Sequence, residues 1–487
     1  MFTMSLLRNR MAPTTARPDR SGRRRTQMPR LEALEGRALL SALDPILDTS
    51  FNGTGYLTRD VNYSDNATVL AVQGNGSIVF GGFGVRSQAI DWTVFRVTPT
   101  GAADGSFGTN GRVDVGFGGP TTNTQQGTLR QVAVDGSSRI LLAGSAVPRS
   151  AKNGFAALAR LTPEGKLDSS FGPNHNGLMI VDTMKGSTGS SISCMECDAN
   201  GNIVVAGGGS TSKSTYSWIA RYTATGTPDP TFGTNGVVIQ TLAGSWTDLR
   251  IEPDHSIDVV GRLGQSGVIE HVSTSGKIVT QVTQEFPPLV TTLRSGDPSG
   301  GIFDGNGRIL FANVGRDPQP VSIHYFLLCR QDAANGSVDM TFNNGTGYTC
   351  VDMTTYFNNN KSDYGLDPAV TYVTSCGIYP GDGSSAVVDP GTQKVIVYGY
   401  TTLYGGQAGS AGWKYATMIR FDPNGVLDDS FGIHGVSATR IPGSGSGIWF
   451  NRVAVIQPST IVAVGSLNVG GATGDDFLLA RFSSPSS

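Results

Sequence analysis

One pattern of residues recurs along this chain and restricts its fold more than any other feature. Seven apolar runs close on a small residue: Ile78–Gly82, Ile140–Gly144, Ile203–Gly207, Ile257–Gly261, Ile309–Asn313, Val395–Gly399 and Ile461–Gly465. Each is followed by a second run ending on a basic residue: Arg96, Arg160, Arg221, His271, Arg330, Arg420 and Arg481. These basic positions lie 64, 61, 50, 59, 90 and 61 residues apart. A third signal, Asp-x-Ser/Thr-Phe, ends on Phe51, Phe107, Phe171, Phe232, Phe342 and Phe431. Self-similarity at about sixty residues is the mark of a repeat architecture.

Each interval accommodates four short strands and their turns. In the third unit these read Leu178–Asp182, Ser191–Asp198, Asn202–Gly208 and Ser217–Tyr222, with Asp198-Ala199-Asn200-Gly201 as a turn signal. Two runs per unit are continuously apolar rather than alternating, as expected of strands covered on both faces. Charged residues are only 15% of the chain and Gly is 66 of 487, which suits many tight turns. The expectation is an all-β fold, a seven-bladed β-propeller of four-stranded repeats. Asn313 stands where the other six runs have Gly, and Asn tolerates positive φ, so the slot is expected to need that backbone conformation.

The repeat also implies how a ring closes. Asp104, Asp168, Asp229, Asp339 and Asp428 follow Arg96, Arg160, Arg221, Arg330 and Arg420 by 8, 8, 8, 9 and 8 residues. Where His271 replaces the Arg, the expected Asp is missing too, since position 279 is Val. Joint loss suggests a pair, because either charge left alone and partly buried is costly. Arg481 has no following Asp, and Asp48 no preceding Arg. In a closed ring they become partners.

The Asp-x-Ser-Phe-Gly and Ala-Arg-Leu patterns together resemble the delta-60 repeat proteins, over roughly 46–482. That resemblance implies a β-propeller and brings no activity with it. Pro29–Ala42 resembles the LEPR-XLL-type segment near the N-terminus of exported planctomycete surface proteins, which implies export to the cell surface or beyond. Residues 1–42 hold nine Arg against Asp19, Glu32 and Glu35, so they carry +6 and the body about −8. Residues 1–42 are expected to be a targeting segment outside the fold, and 43–487 a single propeller. An acidic body argues against nucleic-acid partners. No run approaches the ~20 apolar residues of a spanning helix, and a monomer is expected.

Catalytic signals are sparse. Cys194 and Cys197 form an isolated CxxC on a predicted strand, where their side chains face opposite sides. Cys350 and Cys376 fall on successive predicted strands and could bridge in an oxidising compartment. The turns Asp304–Gly307 and Asp422–Gly425 lack the twelfth-position Glu of a calcium loop. Five His fall in different repeats. No cofactor or metal site is expected. The sixth unit is about thirty residues longer than the repeat, with the excess at 352–368. There Tyr356, Phe357, Asp363 and Tyr364 combine aromatic area with polar groups suited to sugar or peptide recognition. The expected function is a non-enzymatic extracellular module that binds protein or polysaccharide. The alternative is a propeller enzyme: a carbohydrate lyase or glycosidase, or a quinone-type dehydrogenase.

Overall fold

A computed structural model describes residues 46–483 except 62–64, 85–90, 119–126, 149–150, 152, 182, 241–243, 264–265, 285–299, 317–323, 378–384, 406–411, 442–446, 458–459 and 469–473. All of these lie in the unit Leu40–Ser487, and the Arg-rich head falls outside the described residues. The chain forms seven antiparallel sheets, the blades of a β-propeller. The first strands of the blades, Asp65–Val72, Thr128–Val134, Ser187–Cys197, Ser245–Ile251, Gly301–Phe303, Tyr372–Gly377 and Gly447–Gln457, ring the centre. Arg452 of blade seven reaches across to the Arg130 carbonyl of blade two, so these strands line a central channel.

The fourth strand of each blade corrects the expected grouping. Leu178–Ile180 pairs with Phe155–Leu161, so it is the outer strand of blade two and not the first strand of blade three. The Asp168–Phe171 turn folds the chain back onto the strand it has just left. Blade three therefore runs Ser187–Cys197, Ile203–Thr211, Thr215–Tyr222 and Val237–Gln240. By the same rule the outer strand of blade seven comes from the N-terminal end: Tyr56–Arg59 pairs antiparallel with Asp475–Ser483. The ring is thus closed by strand exchange between the two ends of the body.

The recurrent Arg is the centre of a latch repeated six times. Arg160 Nε donates to Asp168 Oδ2 at 2.8 Å, its Nη2 to Ser170 Oγ at 2.9 Å, and its Nη1 to the Ala224 carbonyl of the next blade. The guanidinium lies 4.7 Å above the Phe171 ring, which is fully buried. Arg96, Arg221, Arg330 and Arg420 make the same Asp and Phe contacts. Arg481 pairs with Asp48 at 2.8 Å and lies 4.8 Å above Phe51, so the ring-closing pair forms as the spacing predicted. Arg is suited to this place because its planar fork satisfies four partners at once.

The Gly that closes each apolar run, two or more residues before its second strand ends, has a different cause from the expected one. Gly82, Gly144, Gly207, Gly261 and Gly465 are not among the positive-φ residues, and neither is Asn313. Each of these Gly instead faces a β-bulge in the first strand, between Ala67/Val69, Leu129/Gln131, Ile192/Cys194, Trp246/Asp248 and Phe450/Arg452. A Cβ at Gly144 would overlap the Thr128 carbonyl oxygen, and the other four meet the equivalent carbonyl of their own blades. In these five blades the slot requires the absence of a side chain, because a bulge pushes backbone into it. Asn313 of blade five faces no paired residue of its first strand among the described residues.

Candidate functional site

The aromatic residues of the 352–368 insertion serve packing. Asp352 caps a short helix, Met353–Asn359, which follows the outer strand of blade five. Phe357 is fully buried and Tyr356 nearly so, within the hydrophobic cluster between blades five and six. Tyr356 OH donates to the Ile433 carbonyl and lies 3.0 Å from Tyr364 OH, while the Phe357 and Tyr364 rings sit 4.9 Å apart. Of the four candidates only Asp363 is exposed.

The cysteines are all free thiols. Cys194 is buried between blades three and four, whereas Cys197 packs on the side of blade two. Cys350 is exposed on blade five and Cys376 is buried on blade six. The Asp304 and Asp422 carboxylates accept backbone N–H groups of their own turns, from Asn306 and Arg308 and from Asn424 and Val426.

The place where the structure departs most from its own repeat is blade four. With His271 in the Arg position and no Asp-x-Ser-Phe turn, the chain passes from Ser273–Lys277 directly into the outer strand Ile278–Gln284. In the other blades that missing turn docks on the neighbour: Gly172 N–H donates to the Thr225 carbonyl, and Asn343 N–H to that of Asn424. The corresponding turn of blade five contains Ala333 and Ala334, and among the described residues no turn of blade four docks on it. A groove of about 590 Å³ remains, lined by all four strands of blade four and by Gly307, Ala333 and Ala334 of blade five. The seam beneath it is thin. Among the described residues only Val260, Ile269, Ile309 and Phe311 are fully buried there, where the other seams bury eleven or more.

The groove is polar and largely self-paired. His271 Nδ1 lies 2.7 Å from Asp258 Oδ1, directly across the ladder. Arg250 bonds Glu252, reaches Asp258 at 3.3 Å, and stacks 4.9 Å over Phe303 of blade five. It partly replaces the lost latch from the opposite side of the blade. Asp254 and Ser256 complete the wall.

Where Arg250 meets the channel, two further carboxylates stand on adjacent blades. Burial pushes Glu196 up to about 7, against a hydrogen bond from Ile251 N–H and with help from Asp248. Burial likewise pushes Asp248 up to about 6, although Phe303 and Leu249 N–H groups and the charge of Arg452 oppose it. Arg452 also keeps a buried Nε without a protein partner. Sequence reasoning missed this set. Its one signal was the paired loss at His271 and Val279, which had pointed to a missing ion pair and not to the space it leaves.

A family described as "Domain of unknown function (DUF5122) beta-propeller" matches residues 137–171 and 199–232. Both segments begin in the turn before a second strand and end on the latch phenylalanine. No curated protein sequence matches. Among solved structures the chain is similar to a streptogramin B lyase (10% identity, 87% of this chain, 97% of that one, TM-score 0.36). It is also similar to the polysaccharide lyase Uly1 (10%, 88%, 91%, 0.41) and to a protein of unknown function from Dyadobacter fermentans (11%, 88%, 99%, 0.36). At these scores the likenesses lend nothing to a functional reading. What the matched segments share with this chain is the latch-bearing propeller repeat itself.

Proposed function

We propose that the chain is a non-enzymatic propeller of the cell surface or extracellular space that binds a protein or polysaccharide through the groove of blade four. One observation carries this reading. Six blades bury the Arg–Asp–Phe latch, and the seventh replaces it with an open, charged cavity that reaches from channel to rim. A scaffold alone gains nothing from an unsealed seam, whereas a concave site with a few placed polar groups is what recognition requires. Export is supported by the resemblance of Pro29–Ala42 to a surface-protein segment. The test is retention of immobilised full-length protein on glycan and protein arrays, with and without Glu252→Gln/Asp258→Asn. A ligand retained equally by both forms would count against the groove.

A second reading, an enzyme acting on carbohydrate, is favoured by Glu196 and Asp248. Burial raises both carboxyls toward neutrality, the direction a general acid requires. Turnover of a polysaccharide, abolished by Glu196→Gln, would establish it.

A further inference from the structure

We infer that blade four takes an extended basic peptide as a fifth strand, its cationic side chains entering the groove. This rests on the reading of the groove as the binding site and adds the partner's class and mode of attachment. Two observations carry it independently of each other.

The first is the edge. The outer strands of the other blades are three to five residues long, whereas Ile278–Gln284 has seven. Its sequence, Ile-Val-Thr-Gln-Val-Thr-Gln, carries no charge, no Pro and no Gly. One side is paired from Gly267–Gln284 to Val272–Ile278, and 278–281 and 283 are exposed. Ile278 and Val279 keep 36% and 54% of their surface, in a chain whose apolar residues are mostly buried. Edge strands are ordinarily blunted by shortness, charge, Pro or a bulge. This one bulges at Val279, and beyond the bulge Thr280–Gln284 is a neutral, regularly paired run that offers a template for strand addition.

The second is charge and direction. Thr280 lines the groove and Val282 shares its face, whereas a bulge at Val279 turns Ile278, the cross-strand partner of Val272, toward blade three. Gln281 faces the other way, donating to Glu270 on the side of blade three. A strand added beside Thr280–Gln284 therefore presents every second side chain to the groove mouth. There Glu252, Asp254 and Asp258 outnumber Arg250, and His271 is already held by Asp258. A Lys or Arg side chain fits that excess of carboxylate, and an acidic or neutral one does not.

The test is fluorescence anisotropy of the full-length protein with the labelled peptide Thr-Val-Arg-Val-Arg-Val-Thr. Three comparisons decide it: the same peptide N-methylated at alternate residues, its Arg→Gln analogue, and the Glu252→Gln/Asp258→Asn protein. Saturable binding is expected, with a loss of about tenfold or more on N-methylation, since backbone hydrogen bonds supply the affinity of strand addition. The Arg→Gln peptide is expected to lose about tenfold on the native protein and little on the double variant, where the opposing charge is gone. That coupling separates recognition from mere loss of fold, which circular dichroism of the variant also monitors. Equal binding of the N-methylated peptide overturns strand addition, and equal binding of the neutral analogue overturns the basic partner. A concentration-dependent dimer without peptide, dispersed by Val279→Lys, would assign the edge to a second copy instead. If no peptide binds while an array ligand is retained in a Glu252- and Asp258-dependent way, this inference falls and the binding reading stands. If the array ligand is also indifferent to the groove, both fall.

Discussion

At the scale of single residues the repeat is written in two ways, and the sequence disclosed them unequally. The latch residues carry their chemistry in their side chains, so spacing alone paired Arg with Asp and even Arg481 with Asp48. The glycines carry theirs in an absent side chain, and the sequence cannot say which neighbour intrudes. Substitution separates the two cases. Gly144→Ala forces a Cβ into the Thr128 carbonyl and is expected to cost about 1–3 kcal/mol in urea unfolding. Gly136→Ala, with nothing within 4 Å of its Cβ, is expected to lie within about 0.5 kcal/mol of the parent. A similar cost for both would mean that the slot is governed by backbone freedom after all. Titration adds a second check. Burial raises Asp168, but hydrogen bonds from Ser170 and the Arg160 charge outweigh it, so its pKa is depressed. The other latch carboxylates, Asp48, Asp104, Asp229, Asp339 and Asp428, shift the same way. Groups with depressed pKa stabilise the fold above the ordinary value of 3.8 and lose that contribution as pH falls through the folded value. Glu196 and Asp248 are raised, so they favour the fold below 4.5 and 3.8 and lose that contribution as pH rises through about 7 and about 6. The thermal midpoint is therefore expected to peak near pH 5. Glu196→Gln/Asp248→Asn should flatten the fall between pH 5 and 8 and leave the acid limb in place.

At the scale of elements, the number of strands was legible and their grouping was not. Runs of apolar residues announce strands, but which sheet a strand joins is decided by the turn before it. The Asp168–Phe171 turn sends Leu178–Ile180 back to blade two because Asp168 bonds an Arg of the strand just completed. The insertion misled for a related reason. Tyr356 and Phe357 look like exposed recognition residues until the helix that bears them is placed against two blades. Blade four shows what the latch contributes. Asp168→Ala leaves the Arg160 side chain, 5% exposed, without its main partner and is expected to cost about 3–5 kcal/mol. Arg160→Met/Asp168→Ala is expected to recover part of that cost, since an apolar replacement of both members of a buried pair is often tolerated. Blade four lacks both members of the pair, with His271 held by Asp258 instead, and it remains a paired sheet. A double variant less stable than Asp168→Ala would show that the latch does more than neutralise a buried charge.

At the scale of the whole molecule, the ring has two special seams of opposite character. Blade seven is where the N-terminal part of the described chain meets its C-terminal part: Tyr56–Arg59 completes its sheet and Asp48 pairs with Arg481. Its seam with blade one is held by bonds from Asn52 N–H to the Thr100 carbonyl and from Arg481 Nη1 to the Pro99 carbonyl. The seam between blades four and five needs no closure in sequence, yet among the described residues it has the thinnest apolar layer and no Arg–Asp–Phe latch. A ring must strain if any seam opens, so the opening free energies of the seams should rank by what each buries. Amides of Ser266–Val272 and Ile309–Phe311 are expected to exchange faster than their equivalents in blades two and three. Asp48→Ala should reverse the order, because the N-terminal segment then depends on the backbone pairing of Ile46–Leu47 and Tyr56–Arg59 and on the buried Phe51. Exchange would accelerate first in Tyr56–Arg59 and Asp475–Ser483, with blades four and five unchanged. If Asp48→Ala instead accelerates every blade together, the propeller opens as one cooperative unit. Blade four's groove would then be a feature of its surface alone, without a weaker seam beneath it.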